Sequence, residues 1–218
     1  MTETCSDEVF WQEEVRRFLP DARSALRAAL GYVCCPICHV LADVPFHYFA
    51  LLPSRWPDEQ CLRDVVCQAW GFCNRHTWQL SKMQGLVAIA RVFLDVLDAL
   101  PHLPTPRHSC PLCRLQALME AMLLDDLCQW LSRRAAQERY GELFGVCYPH
   151  LELLLQRETA EGVKELLIRA QERRREELLR DLQSILDKDT AEAKWLRTEA
   201  EKRAPRRTLL KLAGDQEP

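Results

Sequence analysis

A chain of 218 residues that is 48% hydrophobic and 28% charged has enough apolar content for a core, which argues against overall disorder. Its formal net charge of −3 lacks the basic excess of a general nucleic-acid binder. The acidic start from Met1 to Glu8 does not read as an export signal. The longest apolar stretch, Gly85 to Leu100, is broken by Arg91, Asp95 and Asp98 and is too short and too charged to cross a bilayer.

Helical patterns dominate from the first residues onward. Ser6 is placed to cap a first helix, with Asp7 and Glu8 at its positive end. Phe10, Trp11, Val15, Phe18 and Leu19 form its apolar stripe, and Pro20 is expected to end it and start a second helix that stops at Gly31. Pro45, Pro53 and Pro57 predict only short helices over the next stretch. Leu62, Val65, Val66, Ala69 and Trp70 then predict a helix ended by Gly71, followed by a long helix from about His76 to Leu100.

Pro101, Pro104 and Pro106 read as a connector. Leu115, Leu118, Met119, Met122, Leu123, Leu127 and Leu131 describe a helix that no proline breaks. Beyond Gln156 the composition shifts to 15 Lys/Arg and 14 Asp/Glu, while Val163, Leu166, Leu167, Leu178, Leu182 and Ile185 keep a helical rhythm. Asp189 and Glu192 resemble a capping pair for a last helix containing Trp195 and Leu196, ended by Pro205 before a loose C-terminus. No hairpin dipeptide or sustained alternation predicts a strand.

One pattern occurs twice. Cys35-Pro36-Ile37-Cys38 is followed by Gly71, Cys73 and His76; Cys110-Pro111-Leu112-Cys113 is followed by Gly145, Cys147 and His150. The CPxC pairs lie 75 residues apart and the CxxH pairs 74 apart, the mark of a duplicated supersecondary unit. Two cysteines two residues apart can place both sulfurs on one ion, and a C-x-x-H on a first helical turn presents both side chains on one face. The eight residues therefore predict two Cys3His sites holding two zinc ions, with iron–sulfur as the alternative metal. The spacing leaves open whether each CPxC closes on its own CxxH or on the other repeat's.

Other readings of the cysteines fail on particulars. Cys35 to His39 matches a haem-attachment C-x-x-C-H, but the second copy has Arg114 where the histidine should be. A thiol oxidoreductase CPxC follows a strand, and none is predicted here. The 11 cysteines are odd in number, so a disulfide framework is not expected and a reducing cytoplasmic setting is. Cys61, Cys67 and Cys128 read as buried small hydrophobes, and His47, His102 and His108 have no partner at ligand spacing. No catalytic motif emerges, so catalytic residues and organic cofactors are expected to be none. Arg173-Arg174-Arg175 is flanked by Glu172, Glu176 and Glu177 and reads as a self-paired helix face.

With these residues in view, the chain resembles a group of bacterial helical proteins, a domain of unknown function, that carry two C-P-x-C … G-[FLV]-C-x-x-H units. The matching positions are Cys35/Cys38, Gly71/Cys73/His76, Cys110/Cys113 and Gly145/Cys147/His150, within about Cys35 to Leu155. The resemblance implies an architecture and no activity. The expectation is an all-α protein: residues 1–155 with two zinc-stapled pseudo-repeats, about 35–100 and 110–155, and a charged helical C-terminal extension over 156–218. Its expected role is that of a non-enzymatic scaffold or interaction module, with a protein partner or self-association through the C-terminal helices. A thiol-redox or zinc-release sensor using the CPxC pairs is the alternative.

Overall fold

The computed structural model describes residues 7–102, 108–157, 161–190 and 192–214; Ser6, Pro104 and Pro106 lie outside them. The described residues are all-α, with no strand among them. The helices are α1 (Asp7–Ala29), α2 (Pro36–Arg55), α3 (Gln60–Gln68), α4 (Asn74–Met83), α5 (Leu86–Ala99), α6 (Pro111–Leu131), α7 (Arg134–Glu142), α8 (Tyr148–Leu155), α9 (Glu161–Asp187) and α10 (Glu199–Ala213). They fall into two compact units. Unit 1 is Met1–Asp21 with Leu41–Ala121, and unit 2 is Ala22–Val40 with Met122–Pro218. Helices α1, α2 and α6 each contribute residues to both units.

Several helices run through prolines that were expected to stop them. α1 continues past Pro20 because Trp11, Val15, Phe18, Ala22, Leu26 and Ala29 are buried at helical spacing on both sides of it. Pro20 sits on the exposed face, where water can reach the carbonyl it frees. α2 contains both Pro45 and Pro53. A proline removes the donor for the carbonyl four residues back. Those carbonyls are Leu41 O and Phe49 O, and each has a replacement donor: Gln116 Nε2 at 2.9 Å and Gln84 Nε2 at 2.7 Å. Two glutamines distant in sequence thus keep one helix intact.

The long helix expected over His76 to Leu100 is instead two, α4 and α5, parted by extended backbone at Gln84 and Gly85. Gln84 leaves the helix and caps Phe49 O, and Gly85 has little helical preference. At the C-terminal end, Trp195 and Leu196 lie in a short 3-10 turn, Ala193–Leu196, and not in the last helix. The cap of α10 is Thr198 with Glu201, a reciprocal capping box, rather than Asp189 with Glu192. Pro205 lies inside α10, on an exposed position between buried Ala204 and Lys211, so the helix continues to Ala213.

Unit 1 is organised around aromatic side chains that lead directly to Cys73. Tyr48, Phe49 and Phe72 pack edge to face, Phe49 and Phe72 at 5.3 Å between ring centres. A buried ion pair joins α1 to α2: Arg55 donates to Glu14 at 2.5 and 3.0 Å and also to Glu59. Trp70 and Gly71 take positive φ, and Gly71 N bonds to Val66 O, a turn that ends α3 and delivers Cys73. In unit 2, α9 packs on α10 and α7, which buries Val163, Leu167 and Leu178. The described residues of the 156–218 tail therefore belong to a unit that also contains residues 22–40 and 122–157.

Candidate metal centres

All four half-motifs fold the same way. Cys35, Cys73, Cys110 and Cys147 each precede a helix, and each carbonyl accepts from the amide four residues on: His39, Thr77, Arg114 and Leu151. The second residue of each pair, three positions later, then lies on the first turn, on the same side as the first. The unpaired amides of a helix N-terminus face this side, and their positive end favours thiolate over thiol.

The structure brings the eight residues together into two groups, and each group draws on both repeats. Cys35 and Cys38 of the first repeat meet Cys147 and His150 of the second, in unit 2. Cys73 and His76 meet Cys110 and Cys113, in unit 1. Within each group the candidate ligand atoms lie within 4.8 Å of one another. In unit 2, His150 Nδ1 lies 3.4, 3.3 and 3.1 Å from the sulfurs of Cys35, Cys38 and Cys147, and the Cys38 and Cys147 sulfurs are 3.7 Å apart. In unit 1, His76 Nδ1 lies 3.3, 3.4 and 3.5 Å from Cys73, Cys110 and Cys113, and the Cys73 and Cys113 sulfurs are again 3.7 Å apart.

These are the edges of a tetrahedron around one ion. With Zn–S near 2.3 Å and Zn–N near 2.05 Å, tetrahedral angles place sulfurs about 3.8 Å apart and sulfur from nitrogen about 3.6 Å. Both groups converge through the same imidazole nitrogen. The residues present therefore fit a metal ion bound by three thiolates and one imidazole. No family model, curated protein or solved structure matches this chain.

The electrostatics point the same way. Burial pushes the Cys35 thiol up, but hydrogen bonds with Cys147, Cys38 and His150 outweigh it and hold Cys35 well below the usual thiol range. Cys38 is pushed far up by Cys147, then by Cys35 and burial. In unit 1, burial and then the neighbouring Cys110 push Cys113 up to about 12. Burial acts upward on Cys73 too, but the His76 amide, Cys113 and Cys110 bring it below the usual value. Each trio thus favours one thiolate and resists the next, because like charges this close repel. A divalent cation removes that conflict. Burial first, and then the charge of Arg75, pull His76 down to about 4 against an opposing influence of the Gln116 side chain, which keeps the imidazole neutral, as a ligand must be.

The two centres differ in their surroundings. In unit 2, Cys35, Cys147 and His150 are buried; in unit 1, Cys113 is exposed and Cys73 and Cys110 are half-buried. Unit 2 also has a buried cation. Lys211 of α10 is 2% exposed, and its ammonium donates to Val146 O at 2.9 Å, to Gln171 Oε1 at 3.0 Å and to Phe144 O. It lies over the Phe144 ring at 4.2 Å. Burial pulls Lys211 down to about 8, and the negative charge of Cys35 and Cys147 opposes that pull. Tyr140, also buried, accepts from Val146 N at 3.3 Å. Nothing in the charge pattern of the tail marks Lys211, which the sequence places beyond Pro205 in the loose C-terminus and the structure places in α10.

Gly214, at the end of α10, is the second residue the sequence did not mark. It has φ +77, and a Cβ built there would lie 2.6 Å from Cys38 Sγ and 3.5 Å from Cys147 Sγ. Gly214→Ala is expected to displace Cys38 and to cost about 2–5 kcal/mol in strain and overpacking. In metal-loaded protein it should remove the ion of unit 2 only. Gly162→Ala is the control, since a Cβ there meets open space. Equal melting temperature and equal metal content in the two variants would show that α10 does not close on Cys38. Of the remaining cysteines, Cys34 and Cys67 are buried and Cys61 and Cys128 half-buried, none of them in either group. His47, His102 and His108 also lie outside both groups.

Proposed function

We propose that the chain is a zinc-binding helical scaffold of a cytoplasmic, reducing setting, non-enzymatic, with two structural Cys3His zinc ions. The observation that carries this reading is the convergence of eight donors into two groups with tetrahedral edges. Four donors closed to the spacing of a single ion leave no room for a multi-iron cluster, which favours zinc over iron–sulfur. Four protein ligands also fill the shell, whereas a catalytic zinc keeps one position for water or substrate. When bound, the ion would supply cross-linking and charge neutralisation: in unit 2 it would clamp the start of α2 to the start of α8, and in unit 1 the start of α4 to the start of α6. No described helix is long and apolar enough to cross a membrane.

A role in holding a protein partner accords with the apolar side chains that the tail leaves exposed, Trp195 at 81% and Leu196 at 71%. One feature supports a second reading, a thiol sensor that releases zinc: exposed Cys113 lies 3.7 Å from Cys73 in the more open centre of unit 1. Elemental analysis of protein purified without added metal tests both. About two zinc ions per chain and a colourless sample are expected; a brown protein, or less than one zinc, overturns the zinc reading. Under mild hydrogen peroxide a scaffold keeps both ions until it unfolds, while a sensor loses one reversibly with formation of a disulfide.

A further inference from the structure

Helix α5 is apolar on two sides. Only Arg91, Asp95 and Asp98 among its 14 residues are charged. Val92 and Val96 face the core of unit 1, and Asp95 accepts from Trp56 Nε1 at 2.8 Å. Another set of residues faces out. Leu86, Val87, Leu94 and Leu97 are 85, 66, 68 and 65% exposed, and Ala90 is exposed between them. Val87, Ala90, Leu94 and Leu97 follow the 3-4-3 spacing of a helix-pairing seam. A helix apolar all round is normally covered on all sides, and a contiguous exposed patch of this kind marks an interaction surface.

The charges beside the seam identify what covers it. Arg91 and Asp98 are both exposed, lie seven residues apart on the same flank, and have no ion-pair or hydrogen-bond partner among the described residues. A patch with one positive and one negative group on either side of its centre is complementary to itself under a two-fold rotation. We propose that α5 is a homodimer interface in which the α5 helices of two copies pair antiparallel, with the axis beside Leu94, so that Arg91 of each copy meets Asp98 of the other. A parallel pairing would set Arg91 level with Arg91 and Asp98 level with Asp98, and the self-complementarity would be lost.

The available area sets the strength. A 14-residue helix is about 21 Å long, so the seam alone falls short of the roughly 800 Å² per partner of a standard interface. The apolar surface continues into an adjoining groove of about 430 Å³ lined by Leu52, Pro53, Trp56, Leu86, Val87 and Val92. The dimer is therefore a reversible one, with a dissociation constant on the order of 1–100 µM. This inference does not depend on the metal.

Sedimentation equilibrium of the full-length protein between about 1 and 200 µM provides the test, with circular dichroism and metal content as fold controls. The wild type should pass from monomer to dimer in this range. Leu94→Glu should be monomeric throughout, with unchanged helicity. Arg91→Asp and Asp98→Arg should each weaken the dimer about tenfold, since each makes two like-charge pairs across the axis. The double variant Arg91→Asp/Asp98→Arg should restore wild-type affinity. A strictly monomeric wild type overturns the proposal, as does a dimer that survives Leu94→Glu. A double variant no tighter than the single ones overturns the antiparallel pairing.

Discussion

Replacing cysteines in pairs should show which repeats share an ion. Cys38→Ser combined with Cys147→Ser removes two ligands of one group, so the double variant should keep one zinc per chain. Cys38→Ser combined with Cys73→Ser removes two residues of the same sequence repeat but of different groups, and should abolish both sites. Each single variant should lose one ion. The loss in stability is expected to be large, because structural zinc contributes roughly 10–16 kcal/mol of apparent binding energy in small peptides. Within one group the second substitution should add little, and across groups the two losses should approach addition. Metal analysis with thermal unfolding checks this. Retention of one ion by the Cys38/Cys73 pair, with none in the Cys38/Cys147 pair, would mean that each repeat closes on itself.

The second large effect is expected at Lys211. Three thiolates around a divalent ion would leave a net charge of −1, and the buried Lys211 ammonium would bring the unit-2 centre to neutrality. Lys211→Met keeps most of the volume but removes that charge. It also leaves Phe144 O, Val146 O and Gln171 Oε1 without their donor. The loss should be about 3–5 kcal/mol in stability. Competition with a chelator should release one ion from Lys211→Met at least tenfold more readily than from the wild type, while the ion of unit 1 is unaffected. Lys202→Met, which removes only an exposed pair with Glu199, is the comparison and should change neither quantity. If both ions leave Lys211→Met as they leave the wild type, the lysine serves packing alone.

These expectations depend in different measure on the order of residues and on the folded chain. The eight candidate ligands were legible because metal chemistry restricts which residue types can serve and how far apart they can stand on one turn. The duplication, the all-helical class and the unbroken α6 were legible for a similar reason: each is a matter of local spacing. So was the turn at Gly71, whose positive φ is the ordinary way to end α3 before Cys73. Prolines misled because a proline removes a local hydrogen bond, while its replacement comes from afar. Gln116 and Gln84 satisfy the carbonyls freed in α2 from 75 and 35 residues away in the chain. The exchange of half-motifs between repeats could not be read either, since a gap of more than 30 residues between CPxC and CxxH permits both closures equally. Only the folded chain decides it, by bringing the start of α2 to the start of α8 and the start of α4 to the start of α6. Lys211 and Gly214 belong to the unit-2 centre for the same reason: α10 folds back on α8 and α9 and brings a charge and a bare backbone to sulfurs more than 60 residues distant. Residue types and short spacings specified the ligands and the helices, and burial and long-range hydrogen bonds determined which ligands meet and what surrounds them.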